Sequence, residues 1–443
     1  MRQNKRVTSV AWIFLGLLSS YSATVSAQLQ PIPHHREAFH YDSRTNTSEF
    51  IDESVVHSDV VTVPDAAWVQ IHLSGWNLGK KSLLIITSVL DGSTQLFNSQ
   101  TLSDYRGNSP YFNGSKVKLE LFLDDADEGI RDQLFFVIGE VTFGKAGETA
   151  AQKAQCGPTD DRVPSVDRRV ARVMVVGGTA WLASNGAILT AGHVTAILTN
   201  TFIEFNVPNS TAAGVVQAAN ANDQYFIAAL TQVNNGPGDD YTVMDVTPNA
   251  NTGQLPIEAY GVFFRMSRDI PASPTIRITG YGDDVGNLRH RTEQTHTGPF
   301  VGESANILEY QVDTYNANSG SPVQQNGTDM TFGIHTNAGC DATGTDGNNG
   351  TSFENDGLEA AIQQFPERTN GQNIVYLDRG HTTTLEDGTV FRPFDTWEEA
   401  SSAVGSGGLI HPVRGTYLVS SPMTGSFTIS APAVGALVLG GPN

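Results

Sequence analysis

Three residue types capable of acyl transfer occur in this chain in suitable settings. The stretch from Tyr310 to Val323, Tyr-Gln-Val-Asp-Thr-Tyr-Asn-Ala-Asn-Ser-Gly-Ser-Pro-Val, sets Ser319 in a tight loop ahead of a buried strand. Gly320 leaves the hydroxyl uncovered. Backbone N–H groups at and just before the serine can converge on a substrate oxygen, the combination an acyl-transfer nucleophile needs. Asn-Ser-Gly-Ser-Pro is also ordinary turn chemistry, so the loop alone does not decide. The stretch 179–194 reads as strand, Ser-Asn-Gly turn, strand, and delivers His193 at the end of an apolar run. A lone histidine there is otherwise a satisfied structural residue. Between the two lies Gly238-Asp239-Asp240-Tyr241-Thr242-Val243, where a carboxylate opens a short strand. A buried Asp240 would hold an imidazole in one tautomer and stabilise its charged form. The competing reading is a surface Asp-Asp turn.

The order histidine, aspartate, serine is that of the chymotrypsin triad. Thr190-Ala191-Gly192-His193, Asp240-Tyr241-Thr242-Val243 and Asn318-Ser319-Gly320-Ser321-Pro322 resemble the motifs of the trypsin/chymotrypsin-like serine endopeptidases. With Gly333-Ile334-His335 downstream, the pattern is most similar to the bacterial glutamyl endopeptidase branch. The resemblance covers residues 157–367. It implies a two-barrel domain in which Ser319 is the nucleophile, His193 the general base and then acid, and Asp240 the orienting carboxylate. It implies an oxyanion hole from the N–H groups of Ser319 and Ala317. No cofactor and no metal are expected, since the acyl chemistry needs neither.

The same resemblance frames the specificity pocket. His335 with Thr314 matches the glutamyl pattern, in which a histidine and hydroxyls receive a substrate carboxylate. Asp313 occupies the place where trypsin keeps a floor carboxylate, and a bare charge there would select Lys or Arg and repel Glu. An acidic preference is the favoured expectation, with Asp313 turned away or paired, and a basic preference is the alternative. Ala317 stands where a glycine is usual, a departure that bears on efficiency rather than reaction class. Val175-Val176-Gly177-Gly178 resembles the start of a mature trypsin, whose freed ammonium docks on a buried carboxylate. Here Val175 lies too close before His193, and the residue before the nucleophile is Asn318. Activation of that type is therefore not expected. The cysteine pair that many relatives carry beside the histidine is replaced by Gly178 and Val194.

The elements that must position these residues fall into several units. Arg2, Lys5 and Arg6, an apolar run from Val10 to Leu18, and Val25-Ser26-Ala27 read as a cleavable secretory leader over 1–27. The apolar run is too short to span a bilayer, so membrane insertion is not expected. Export to the exterior or the periplasm follows. The net charge of −20 becomes −23 once the leader's three bases are gone, which excludes a nucleic-acid partner and favours solubility outside the cell. Protein or peptide substrates are the expected partners. Two cysteines in an exported chain suggest one disulfide, Cys156 to Cys340, the alternative being two free thiols.

Residues 28–145 read as an antiparallel β-sandwich. Val69, Ile71 and Leu73, then Val117, Leu119 and Leu121, alternate at period two between Gly, Asn and Asp turns. Trp68, Trp76, Tyr105, Tyr111 and Phe112 line a carbohydrate or peptide platform on one reading and pack a core on the other. His34, His35 and His40 read as a flexible leader to this unit rather than a metal site. Residues 146–156 form a small, polar linker. Leu358 to Phe365 reads as a closing helix behind an Asp356-Gly357 turn. Residues 368–443 resemble the opening of a right-handed parallel β-helix, a form suited to surface or polysaccharide contact. The Asp341–Asn349 loop suits plain turns, with Ca²⁺ as the alternative. The fold class is therefore mainly β: sandwich, two-barrel protease domain, β-helix-like appendix. The competing functions are an adhesion or binding protein on a protease scaffold, and a hydrolase of non-peptide esters.

Overall fold

The computed structural model describes residues 26–27, 31–46, 54–145, 153–196, 200–284, 286–340, 343, 345–365, 373–381, 385–420, 425–430 and 435–440. Most of the expected leader and linker, and part of the Asp341–Asn349 loop, lie outside them.

The chain is mainly β. Its first described element, β1 (Ser26–Ala27), is the end of the expected leader. The sandwich follows, as β2 (His35–Asp42), β3 (Val55–Thr62), β4 (Ala66–Asn77), β5 (Leu83–Ser88), β6 (Thr94–Phe97), helix α1 (Ser99–Asp104), β7 (Asn108–Asn113), β8 (Lys116–Phe122) and β9 (Phe135–Lys145). Two antiparallel four-stranded sheets form, in the orders β2-β9-β4-β7 and β3-β8-β5-β6. The alternation in β5 and β8 sends Leu84, Ile86, Val117, Leu119 and Leu121 into the core. The histidine stretch is no loose leader: His35 and His40 lie in β2, because that strand completes the sheet edge on β9. Trp68, Tyr105, Tyr111 and Phe112 are buried, so the core reading applies to them and no aromatic platform forms from these four.

The first barrel is closed by β12 (Val170–Val173), β13 (Gly178–Leu182), β14 (Ile188–Thr190), β15 (Phe202–Glu204), β16 (Gln224–Asn234) and β17 (Asp240–Val246). Before it run β10 (Lys153–Ala154) and β11 (Val163–Pro164); within it sits the short helix α2 (Gly192–Thr195). Helix α3 (Pro256–Tyr260) and β18 (Arg265–Met266) lead to the second barrel. That barrel uses β19 (Thr275–Gly280), β20 (Gln294–Ser304), β21 (Ile307–Tyr310), β23 (Pro322–Gln325), β24 (Met330–Ala338) and β25 (Asn348–Ser352), with β22 (Thr314–Tyr315) in the loop between β21 and β23. Pairing runs β24-β23-β19-β20-β21-β25, and β25 returns to β24, closing a ring of six. β10 pairs with β22, β11 with β20, and β1 with the end of β24 at Asn337 and Ala338.

Helix α4 (Asp356–Gln363) starts earlier than its sequence suggests, because Asn355 Oδ1 caps Leu358 N and draws Asp356-Gly357 into the first turn. Beyond it, β26 (Ile374–Leu377), helix α5 (Trp397–Ala403), β27 (Leu409–Pro412), β28 (Gly415–Leu418), β29 (Thr428–Ile429) and β30 (Leu437–Gly440) pair in parallel, in the orders β26-β27-β29 and β28-β30. This unit docks on the barrels through Phe391 stacked on Phe353 at 4.6 Å and the Arg265–Asp378 ion pair.

Sandwich and first barrel share one apolar core. Tyr105 stacks on Phe226 at 5.7 Å, and Tyr111 meets Phe202 edge-on at 5.9 Å. The Gln224 amide accepts from Tyr111 N and donates to Tyr111 O, both at 2.8 Å.

Candidate active site

The histidine is positioned by the end of β14 and by a glycine. A Cβ at Gly192 would lie 1.7 Å from Val233 O and 2.9 Å from Asp240 Oδ1, so only glycine lets α2 sit so close to β16 and β17. The β14–β17 register sets Thr190 opposite Thr242, which brings the start of β17 under α2. Asp240 Oδ1 accepts from His193 N–H at 2.8 Å, and Oδ2 meets His193 Nδ1 at 2.6 Å. A carboxylate only accepts, so Nδ1 carries a proton, and in the neutral ring the lone pair is left to Nε2. His193 Nε2 is buried and has no partner. Thr351 Oγ1 of the second barrel donates to Asp240 O at 2.9 Å and ties the pair across the interface.

The serine loop comes from the second barrel and is pinned to the first by Thr179 and to β24 of its own barrel. Thr179 N–H donates to Ser319 O at 2.9 Å, Thr179 Oγ1 to Ala317 O at 2.8 Å, and Gly320 N–H to His335 O at 2.7 Å. Gly320 has φ +94°, and a Cβ there would fall 1.9 Å from Thr179 O. Ser319 Oγ donates to Thr336 O at 3.3 Å, not to His193. Contrary to the sequence expectation, the hydroxyl is not uncovered. Ser319 has no exposed surface, because Thr179 and Thr190 close on the loop from one side and the His335–Thr336 segment from the other. The N–H groups of Ala317 and Ser319 donate to no other group among the described residues. Ala317 has φ +74°.

The residues assigned to the pocket separate into two kinds. Asp313 is buried, and its oxygens accept from Cys156 N at 2.7 Å and Asp161 N at 2.8 Å. It therefore fastens the segment before β11 to the serine loop. Cys156 and Cys340 are disulfide-bonded, with Cα atoms 4.8 Å apart, and reinforce the same junction. Thr314 Oγ1 accepts from Asn348 Nδ2 at 3.0 Å. His335 is buried in β24, its Nδ1 2.7 Å from Tyr310 Oη. Burial, and then the neighbouring His193, lower the His335 pKa to about 3, so the ring is neutral. Asp161, His296 and Asp313 bring ligand-type atoms within 4.8 Å of one another. Asp313 N–H donates to His296 Nδ1 at 2.8 Å, and the Asp313 carboxylate accepts from the Cys156 and Asp161 backbone.

Thr179, Thr336 and Tyr310 were missed as supports of this site. Nothing local marks them, since each acts on a residue at least 17 positions away.

Two six-stranded antiparallel barrels meet with the His–Asp pair on one and the serine loop on the other. The fold is chymotrypsin-like. No family model matches the chain, and no curated protein matches it. Among solved structures with similarity to this chymotrypsin-like chain is a Glu endopeptidase in complex with MPD, at 20% identity and a TM-score of 0.33, covering 45% of this chain and 94% of that one. Another is a thermostable serine protease from an extremophilic microorganism, at 12% identity and a TM-score of 0.33, covering 42% of this chain and 91% of that one.

Proposed function

We propose that the chain is an exported serine endopeptidase. The observation that carries this reading is the His193–Asp240 pair at 2.6 Å, with Nε2 left without a partner on the barrel to which Thr179 ties the Ser319 loop. Ser319 Oγ rotates from Thr336 O to His193 Nε2, gives up its proton there and attacks the peptide carbonyl. The N–H groups of Ala317 and Ser319 receive the oxyanion, a contribution of about 10²–10³ in kcat for each such donor. The imidazolium, held by Asp240, then protonates the leaving amine, and water hydrolyses the acyl-enzyme.

The residue before the scissile bond is Glu or Asp in this reading. Both Asp313 oxygens are taken by backbone N–H groups, so a substrate Lys or Arg finds no free carboxylate there. Thr314, bonded to Asn348, and neutral His335, bonded to Tyr310, are the polar groups that the resemblance assigns to the pocket. The disulfide agrees with export, and no helix among the described residues is long and apolar enough to cross a membrane.

The test is a cleavage map by mass spectrometry, on a denatured protein, with Ser319→Ala as control. Cuts after Glu or Asp, absent in the control, are expected. Cuts after Lys or Arg would overturn the acidic preference. No cuts by either sample, together with no acylation of Ser319 by a fluorophosphonate, would favour a binding protein on a protease scaffold.

A further inference from the structure

We propose that Arg162 is a positioning residue for the oxyanion-binding peptide, a fixed internal cation standing where a freed amino terminus would otherwise be needed. This rests on the serine-protease reading above.

The Asn316–Ala317 peptide carries both groups at stake. It is planar and trans, so its C=O and N–H point in opposite directions. Asn316 O accepts from Asp283 N–H at 2.9 Å, and this turns the Ala317 N–H to the other side. Rotation of that one peptide would put a carbonyl oxygen where the donor belongs. Asp283 is itself anchored: its carbonyl accepts from Arg162 Nη2 at 2.9 Å.

The arginine is built in rather than draped over the surface. Its side chain is 1% exposed. Nε and Nη2 bind the two Asp160 oxygens at 2.9 and 3.0 Å, and the guanidinium lies 3.8 Å over the Tyr315 ring. One planar group thus touches the serine loop directly at Tyr315 and, through Asp283, at Asn316. The remaining Nη1 has no partner. It lies beside Asn318 Oδ1, since a Cβ on Gly282 would fall 2.3 Å from the one and 2.1 Å from the other. Asn318 precedes the nucleophile and offers no carboxylate to an ammonium. Arg162 fills that side of the loop with a permanent charge, so the loop needs no chain cleavage to be ordered.

Arg162→Met keeps a stem over Tyr315 and removes the donors. Per titrated active site, kcat on a peptide amide should fall by about 10²–10³, the loss seen when one oxyanion donor is removed, with KM little changed. Affinity for a peptidyl trifluoromethyl ketone, whose adduct carries the oxyanion, should fall in the same proportion, while affinity for the cleaved product peptide stays. A merely structural arginine would change melting and the active fraction without that split. Unchanged kcat and ketone affinity in a folded Arg162→Met overturn the inference. Should that variant not fold, Arg162→Lys, which keeps charge but not the planar fork, is measured instead, with the same split expected and its absence equally decisive. Wild-type protein whose Ser319 does not react with a fluorophosphonate overturns the protease reading itself, and this inference with it. A reactive wild type with unaffected variants overturns only the inference.

Discussion

Ala317 carries a Cβ at φ +74°, a backbone region that costs a non-glycine residue about 1–2 kcal/mol. The conformation persists because Thr179 Oγ1 binds its carbonyl and Asp283 N–H binds the one before it. Ala317→Gly relieves the strain and returns about 0.4–1 kcal/mol through the freer unfolded chain. The expected result is a net gain between about 0 and about 1.6 kcal/mol, with activity kept, measured by urea unfolding and titrated kinetics. A less stable variant would show that the Cβ makes favourable contacts that outweigh the strain. His335 offers a second residue-scale prediction. Its folded pKa of about 3 lies below its ordinary 6.5. The unfolded chain therefore binds a proton that the folded one refuses. The associated stability is complete above pH 6.5 and is lost as pH falls toward 3. By pH 4.5 the loss is roughly 2–3 kcal/mol. His335→Gln should flatten that part of the stability curve, as compared by unfolding midpoints at pH 7.5 and 4.5; parallel curves for the two proteins would contradict it.

At the scale of elements, the sandwich shares the first barrel's own core and is not a detachable partner. Phe202 and Phe226 of the first barrel are buried in the sandwich's apolar cluster, against Tyr105 and Tyr111. A chain beginning at Lys153 would return these rings to water, at about 1.5–3 kcal/mol for each large apolar side chain exposed. It should aggregate or melt well below the full protein, as differential scanning calorimetry would record. A soluble, cooperatively melting fragment would argue against a shared core. Gln224→Ala is the finer probe. It strands both Tyr111 backbone groups, and a loss of about 1–3 kcal/mol is expected.

For the whole molecule, the site exists only where two barrels meet, and its serine, Ser319, is covered. β1 lies antiparallel along Asn337 and Ala338, on the edge of β24 where an extended peptide would add itself as a strand. A chain starting at Gln28 should therefore show a higher kcat/KM than one starting at Met1, with equal reactivity expected if β1 does not compete with substrate. Much of this architecture was legible in the sequence. Period-two runs such as Val117, Leu119 and Leu121 read as strands, since alternation is a local property of the pleat. Gly192-His193 and Ser319-Gly320 read as chemistry from their residue types and order, although the atoms that demand each glycine, Val233 O and Thr179 O, belong to distant strands. Tertiary structure decided the rest. Asp313 had the sequence position of a pocket carboxylate, yet its partners are backbone N–H groups at Cys156 and Asp161. The sandwich aromatics became core because a barrel packs on them. Arg162 bears no local signature, because the carbonyl and ring it grips, Asp283 and Tyr315, come together only once the second barrel has closed. Periodicity and turn chemistry are set by adjacent residues and can be read from them. Which polar group a buried side chain finally meets depends on contacts between distant segments, and only the folded chain settles that.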